Sequence, residues 1–171
     1  MNPAQLSLEE FERDVEYTTA RGSGPGGQHR NKTETAVRAI HSPTGLQAQA
    51  GERRSQAANK REALKRLRLR VAVEFRIEVE LVPPGIYEPS ELWQSRRVGK
   101  KIVVSRQHED FPALLAEALD VLEHTENDVP RASALLEIST SQFIKFLAKA
   151  PEALGRVNDA RRKRGLKPYT I

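Results

Sequence analysis

A glycine-rich stretch near the N terminus, RGSGPGGQHRNKT, carries few side chains that could do chemistry. It runs from Arg21 to Thr33 and its glycine run ends at Gln28. Glycine adopts backbone conformations closed to other residues, so such a loop can approach another molecule closely. A glutamine is neither an acid nor a base near neutral pH, but it can position water and donate hydrogen bonds to a developing charge. We therefore expect the loop to bring Gln28 to a reactive ester that a partner supplies.

Other chemistries of glycine-rich loops fit this stretch less well. Gly22, Gly24 and Gly27 have the spacing of a dinucleotide-binding loop, but no acidic residue follows about 20 positions later. A phosphate-binding loop would need Lys and then Ser or Thr where Gln28 and His29 stand. A serine–histidine nucleophile pair would lack a carboxylate in the loop to orient the histidine. These missing requirements exclude both nucleotide-binding interpretations and disfavour a hydrolase loop that carries its own nucleophile.

The loop lies in the most basic part of a basic chain. The 171 residues carry a net charge of +5, and the isoelectric point is about 9.7. Residues 21–76 alone hold 13 Lys or Arg and 4 Asp or Glu, a net charge of +9. A polyanion such as RNA is the partner expected for such a segment.

Cysteine content and hydropathy indicate the cellular compartment in which the protein is expected. The chain has no cysteine, which excludes disulfides and thiolate metal sites and suits a reducing compartment. The N-terminal sequence MNPAQLSLEEFERD is not a signal peptide, and no apolar run reaches the roughly 20 residues of a membrane span. We expect a cytoplasmic protein with no membrane partner.

The elements around the loop are predicted by local patterns. Ser7 followed by a glutamate three residues later is a capping box, which predicts a short helix from about Leu8. The alternation in VEYTTA predicts a strand that enters the loop. The sequence TAVRAIHSPTGLQAQA predicts a hairpin with its turn at SPTG, in which Val37, Ala39 and His41 share one face.

A long basic helix is predicted after this hairpin. Ala57, Leu64, Leu67 and Val71 recur at helical spacing, so the helix is expected from about Ser55 to the mid-seventies. Its other face is densely basic, and we interpret Ser55 as its N-cap. The resulting prediction is an α+β fold with a small mixed domain over residues 1–80, made of a short helix, an antiparallel sheet and this helix.

The rest of the chain is predicted to be mainly α-helical. Residues 81–92 contain three prolines and a glycine and are expected to form a linker, followed by a helical region over 93–171. A short strand at KKIVVS and four helical stretches are expected there: FPALLAEALDVLEH, VPRASALLEI, TSQFIKFLAKA and PEALGRVNDARRKRG. The second and third are typical of a helix-turn-helix-like hairpin turning at Ile138–Ser139. Its expected core is Ala132, Leu135, Leu136, Ile138, Phe143 and Leu147. DNA reading is disfavoured because the second helix has few basic residues.

Two segments of this chain resemble a known family. RGSGPGGQHRNKTETAVRAIHSPTG, followed by ERRSQAANKREALKRLR, is similar to the catalytic domain of class I peptide chain release factors. The similarity spans roughly residues 10–75 and is greatest to the short ribosome-rescue members, which lack codon-recognition domains. A bare GGQ tripeptide would be weak evidence, whereas these elements in this order are specific. Arg30 departs from the family, which usually has an apolar residue there.

The resemblance implies roles for individual residues. Gly26, Gly27 and Gln28 would enter the peptidyl-transferase centre of the large ribosomal subunit and catalyse hydrolysis of peptidyl-tRNA. Gln28 would be converted to N5-methylglutamine by a glutamine methyltransferase. No metal or cofactor is implied. The residues expected to contact rRNA or tRNA are Arg21, His29, Arg30, Asn31, Lys32, Arg53, Arg54, Lys60, Arg61, Lys65 and Arg68.

The expected function is therefore codon-independent release of nascent chains by a monomeric factor, on stalled ribosomes or large subunits. No codon-reading motif is recognised, and the chain has no room for a codon-reading domain ahead of the loop. The alternative is a non-catalytic ribosome-binding or nucleic-acid-binding regulatory protein that acts through its C-terminal helices.

Overall fold

The computed structural model describes residues 1–20, 35–82 and 85–170, and the chain divides into two compact units. One unit, called the sheet unit below, is Leu6–Phe75. The other, called the helical unit, combines Met1–Gln5 with Arg76–Ile171. The first contains helices and an antiparallel sheet and the second is mainly helical, which confirms the predicted α+β class.

Within residues 6–20 and 35–75, the sheet unit contains two helices and three strands. They are α1 at Leu8–Arg13, β1 at Val15–Ala20, β2 at Ala36–His41, β3 at Gln47–Ala50 and α2 at Gln56–Glu74. The strands form an antiparallel sheet in the order β1-β2-β3, and α2 packs against β2 and β3. Each of these elements was predicted from the sequence.

Both helices of the sheet unit begin at capping serines. The Ser7 hydroxyl accepts the Glu10 N–H at 3.2 Å, and the Glu10 carboxylate accepts the Ser7 N–H at 3.1 Å. This reciprocal pair is the predicted capping box, and it satisfies two N–H groups that the helix leaves without a partner. The Ser55 hydroxyl accepts the Ala58 N–H at 3.3 Å, so the N-cap interpretation of Ser55 is confirmed.

The hairpin between β2 and β3 matches its sequence pattern. Val37, Ala39 and His41 are all buried, as the period of two along β2 predicted. The turn closes with the Gly45 N–H donating to the His41 carbonyl at 2.8 Å. Gly45 has a φ of +69°, a conformation that favours glycine, which explains the residue at the end of SPTG.

The buried face of α2 differs from the prediction at its first turn. Leu64, Leu67 and Val71 are buried as expected. Ala57 is exposed, so its assignment to the apolar face is wrong, and the buried residue of this turn is Asn59. Asn59 lies one and two helical turns before Ala63 and Leu67, and hence in line with the buried stripe.

In its described residues, the helical unit holds a helix at each of the four stretches quoted from the sequence, and three short elements that were not predicted. The helices are α4 at Phe111–His124, α5 at Val129–Leu135, α6 at Thr140–Leu147 and α7 at Pro151–Lys163. The expected strand at KKIVVS is β5, Lys101–Ile102. The unpredicted elements are a 3₁₀ helix at Pro3–Gln5, α3 at Glu91–Arg96 and β4 at Arg97–Val98, which pairs with β5.

Aromatic residues form the centre of the helical unit. Trp93, Phe111 and Phe146 are buried, with ring centroids 5.8 Å apart for Trp93–Phe146 and 5.6 Å for Phe111–Phe146. The Trp93 indole N–H donates to the Leu136 carbonyl at 3.0 Å. This bond ties α3 to the turn between α5 and α6, the predicted helix-turn-helix-like hairpin. Of the six residues expected in the hairpin core, five are buried and Leu135 is half-buried.

The first five residues belong to the helical unit through a buried polar cluster on α4. The Asn2 side-chain amide donates to Asp120 at 2.9 Å, and the Arg76 guanidinium donates to the same carboxylate at 2.8 Å. Burial raises the pKa of Asp120, and the Arg76 charge opposes this shift. Within the described ranges, no helix is both long and apolar enough to span a membrane.

A second polar cluster on α4 involves the proline-rich segment. The Glu117 carboxylate is buried and accepts the Tyr87 hydroxyl at 2.9 Å and the Ser90 N–H at 2.8 Å. The Ser90 hydroxyl also donates to Glu117. Ser90 in turn caps α3, because its hydroxyl accepts the Trp93 N–H at 3.1 Å. These bonds attach residues 87–93 to α4.

Candidate nucleic-acid interface

The segment that carries GGQ connects two paired strand ends. β1 ends at Ala20 and β2 begins at Ala36, and these two residues are partners in the antiparallel register. The two residues that flank the segment on the strands are therefore neighbours at one end of the sheet. The sequence-predicted residues Arg21, Gly26, Gly27, Gln28, His29, Arg30, Asn31 and Lys32 lie outside the described residues.

Asn59 holds the point at which this segment rejoins the sheet. Its side-chain amide is buried and donates to the Thr35 carbonyl at 2.6 Å and to the Arg53 carbonyl at 2.9 Å. Its amide oxygen accepts the Arg53 N–H at 2.9 Å. One side chain thus joins the residue before β2 to the turn before α2. Sequence reasoning missed this residue, although a polar side chain in line with the apolar stripe of α2 was the available signal.

Arg53 and Arg54 lie in the turn between β3 and α2, and both are exposed. The turn is held to α2 at two points. Asn59 binds both backbone groups of Arg53, and the Arg66 guanidinium donates to Glu52 at 2.7 Å. The neighbouring Arg66 lowers the pKa of the Glu52 carboxyl. The two predicted RNA-contacting arginines are therefore presented by a turn whose backbone is fixed.

Arg61 and Lys65 form an exposed cationic pair one helical turn apart on α2. Among the described residues, no carboxylate lies within ion-pair distance of either side chain. Their charges are available to a polyanion that approaches this face.

Lys60 is differently placed. Its ammonium lies 2.9 Å from the Glu12 carboxylate and 4.2 Å from the centre of the Tyr17 ring. The Tyr17 hydroxyl donates to the same Glu12 carboxylate at 2.9 Å. Hydrogen bonds from Lys60 and Tyr17 lower the pKa of Glu12, while burial and that hydrogen bond raise the pKa of Tyr17. The Lys60 charge is therefore balanced within the unit, although its side chain is 48% exposed.

Arg68 lies on the inner side of α2. It is 6% exposed, and its guanidinium donates to the Leu6 carbonyl at 2.6 Å. The structure therefore separates Arg68 from the exposed residues of the predicted RNA-contacting set.

Two further basic residues of α2 are used to attach β3. Arg66 donates to the Gln49 carbonyl at 2.9 Å, and Arg70 donates to the Gln47 carbonyl at 2.7 Å. Arg70 also bridges to Glu74 at 2.9 Å. The basic face of α2 thus has two parts: Arg66 and Arg70 stabilise the sheet, and Arg61 and Lys65 face solvent.

No metal chemistry is indicated by the part of the chain that the structure describes. In residues 1–20, 35–82 and 85–170, no group of three or more His, Cys, Asp or Glu side chains could hold a metal ion.

Comparison with known proteins matches the sheet unit to one family. Residues 5–82 match the RF-1 domain. The chain is 47% identical over 102 residues to "Peptide chain release factor 2" of Helicobacter pylori strain P12, covering 60% of this chain and 28% of that protein. It is 48% identical over 66 residues to "Peptide chain release factor 1" of Caldicellulosiruptor bescii, covering 39% of this chain and 19% of that protein.

The match is confined to a part of these larger proteins. The chain spans 28% of the length of the release factor 2 relatives that it matches. The matched residues 5–82 include the GGQ tripeptide and nearly coincide with the sheet unit, Leu6–Phe75. The chain therefore contains, over residues 5–82, the GGQ domain of the class I peptide chain release factor family.

Proposed function

We propose that this protein hydrolyses the ester bond of peptidyl-tRNA on the ribosome and releases the nascent chain without reading a codon. The observation that supports this most strongly is the RF-1 domain match over residues 5–82, which contains Gly26, Gly27 and Gln28. Water would add to the ester carbonyl carbon, and the bond to the tRNA ribose oxygen would break. The products would be a free peptide carboxylate and a tRNA with its hydroxyl restored.

Gln28 has the chemistry for positioning rather than for proton transfer. Its side-chain amide can donate to and accept from a water molecule, and a backbone N–H can stabilise negative charge developing on the ester oxygen. Gly26 and Gly27 would permit the close approach that this requires. Most of the catalytic surroundings would then be supplied by the ribosome, the partner that the resemblance implies.

RNA contact would be made by the exposed cations of the sheet unit. Arg53 and Arg54 in the turn, and Arg61 and Lys65 on α2, are exposed and carry four positive charges. Such groups contribute to affinity through phosphate contacts and counterion release. The same role is proposed for the basic residues between Arg21 and Lys32.

Three finer features belong to this proposal. The factor would act as a cytoplasmic monomer on stalled ribosomes or large subunits. Gln28 would be a substrate of a glutamine methyltransferase, as the resemblance implies. The helical unit would fit the factor to its ribosomal complex.

The test is release of a labelled nascent peptide from three purified complexes. One ribosome carries an mRNA truncated in the P site, another has a stop codon in the A site, and the third complex is a large subunit with peptidyl-tRNA. Wild type and Gln28→Ala are compared on each, with binding measured in parallel. We expect release by wild type from the truncated or large-subunit complex, and binding without release by Gln28→Ala.

Each other outcome removes a part of the proposal. Release that requires the stop codon would overturn codon independence and leave hydrolysis in place. Equal release by wild type and Gln28→Ala would overturn the catalytic role of Gln28. Binding with no release from any complex would favour the non-catalytic alternative, in which the helical unit carries the function.

A further inference from the structure

We propose that Asn59 is a positioning residue for peptide release, because it fixes Thr35, the residue that follows the segment carrying Gln28, relative to the turn that carries Arg53 and Arg54. This inference rests on the proposed release function. Asn59 would touch neither the ester nor RNA. It would act through the backbone groups that its side chain holds.

The three bonds of Asn59 use both hydrogens of its side-chain amide and one of the two lone pairs of its oxygen. Both amide hydrogens are donated, to the carbonyls of Thr35 and Arg53, and the oxygen accepts the Arg53 N–H. Asn59 itself has no exposed surface, so its three bonds are made within the unit. A side chain with only a donor or only an acceptor would lose at least one of these bonds to Thr35 or Arg53.

The two backbone sites that Asn59 joins have separate functional meanings. Thr35 directly follows residues 21–34 and precedes β2, so its position sets where the GGQ segment meets the sheet. Arg53 is one of the exposed cations proposed to contact RNA. If contacts between Arg53 and RNA orient the factor on the ribosome, the distance and orientation of Thr35 relative to Arg53 influence where Gln28 lies relative to the ester.

The close approach of Gly51 to Ala36 also ties the turn to the start of β2. Gly51, at the start of the turn, lies so close to the first residue of β2 that an added Cβ would stand 3.2 Å from the Ala36 Cβ. The turn is therefore pressed against the β2 end of the GGQ segment, as well as bonded to it through Asn59. The close approach and the Asn59 bonds therefore join the same two short segments: residues 35–36 at the start of β2 and residues 51–53 in the turn.

A reaction that depends on the position of Gln28 should be sensitive to the Asn59 bonds between Thr35 and Arg53. A displacement of about 1 Å in the reacting geometry can cost on the order of 100-fold in rate. Removing the link should therefore lower the release rate at saturating factor more than it lowers ribosome affinity. A merely structural residue would change the melting temperature and leave the release rate of the folded fraction unchanged.

The experiment compares Asn59→Leu with a matched control, Asn158→Leu. Asn158 also uses a mostly buried side-chain amide to bind backbone groups, the N–H and carbonyl of Tyr169 at 2.7 and 3.0 Å, but it lies in the helical unit. Single-turnover release at saturating factor, ribosome binding, the melting temperature and amide exchange at Arg53 are measured for each. We expect Asn59→Leu to lose roughly 10- to 100-fold in release rate, with faster exchange of the Arg53 N–H. We expect Asn158→Leu to keep the wild-type release rate.

Asn59→Asp supplies a second readout if Asn59→Leu does not fold. Its ionised carboxylate would accept the Arg53 N–H but would face the Thr35 and Arg53 carbonyls with no hydrogen to donate. Protonation restores one donation, so its release rate relative to wild type should rise as the pH is lowered from about 8 to about 6.

The outcomes separate this inference from the proposed function. Release by wild type with an unchanged rate for folded Asn59→Leu would overturn the positioning role and leave the release function standing. Equal losses in Asn59→Leu and Asn158→Leu would also overturn it, because a general effect of stability would explain both. If wild type releases nothing, the proposed function fails, and unchanged Arg53 exchange in Asn59→Leu would then overturn the structural link itself.

Discussion

The division of the basic face of α2 can be tested with two matched double variants. Arg61→Gln with Lys65→Gln removes the exposed pair that has no carboxylate neighbour among the described residues. Arg66→Gln with Arg70→Gln removes the pair bonded to β3 and to nearby glutamates. Each variant loses two positive charges from one helix, and glutamine keeps a helix propensity close to that of the residues it replaces. Charge count alone therefore predicts the same result for both.

The structure predicts opposite results. Each phosphate contact contributes about 0.7 to 0.9 to the slope of log affinity against log salt, so losing Arg61 and Lys65 should reduce that slope by about 1.4 to 1.8. Between about 50 and 200 mM salt, wild-type affinity should then fall roughly 7- to 12-fold more than that of the variant. The melting temperature should hardly change. The Arg66 and Arg70 variant should lower the melting temperature and leave the slope nearly unchanged, because the neighbouring glutamates already balance those charges.

The assay is binding to purified large subunits over a salt series, together with thermal melting of the free protein. An unchanged salt slope for the Arg61 and Lys65 variant would refute the assignment of this pair to phosphate contact. An equal loss of slope in both variants would show that the ion pairs within the unit do not shield Arg66 and Arg70, which would refute the reasoning from partners.

Two further predictions concern the stability of each unit. His41 is buried and stacked on Phe11, and burial lowers its pKa, with Asp14 opposing the shift. The unfolded chain therefore binds a proton at His41 more readily than the folded chain does. The stability that neutral His41 allows is fully present above about pH 6.5 and is lost as the pH falls toward the folded pKa. The melting temperature of His41→Phe should therefore change less between about pH 8 and pH 5 than that of wild type. In the helical unit, Trp93→Phe leaves the buried Leu136 carbonyl without its donor, which should cost about 1–3 kcal/mol. Thermal melting measures this loss, and an unchanged melting temperature would contradict the importance of that bond.

Local patterns in the sequence were sufficient for much of the sheet unit. The Ser7 capping box, the Ser55 N-cap and the inward face of Val37, Ala39 and His41 each depend on residues within a few positions of one another. The long helices were also predictable, because their apolar residues recur every three or four positions over several turns. Signals of this kind are present in the chain before any tertiary contact is known.

The residues that were missed depend on distant partners. Asn59 is read from the sequence as an ordinary helix residue, because its partner Thr35 is 24 positions away. Arg68 has the same residue type as the exposed cations around it, and its burial follows from a carbonyl 62 positions away, at Leu6. The short helix α3 has only six residues, too few for a periodic pattern, and it is positioned by Glu117 and Leu136 instead. Tertiary packing decided each of these cases.

The attachment of the first residues to α4 imposes an order on assembly during synthesis. A ribosome makes Asn2 118 residues before its partner Asp120, whereas every residue of the sheet unit has been made once Phe75 is added. The sheet unit can thus fold while the helical unit still lacks most of its chain. Once folded, the sheet unit is a compact insert between residues 1–5 and residue 76, in place of a flexible chain of the same length. This lowers the entropic cost of closing the helical unit around its own N terminus. A nascent chain interrupted after Phe75 would therefore have every residue of the sheet unit, while Asn2 would lack its partner Asp120.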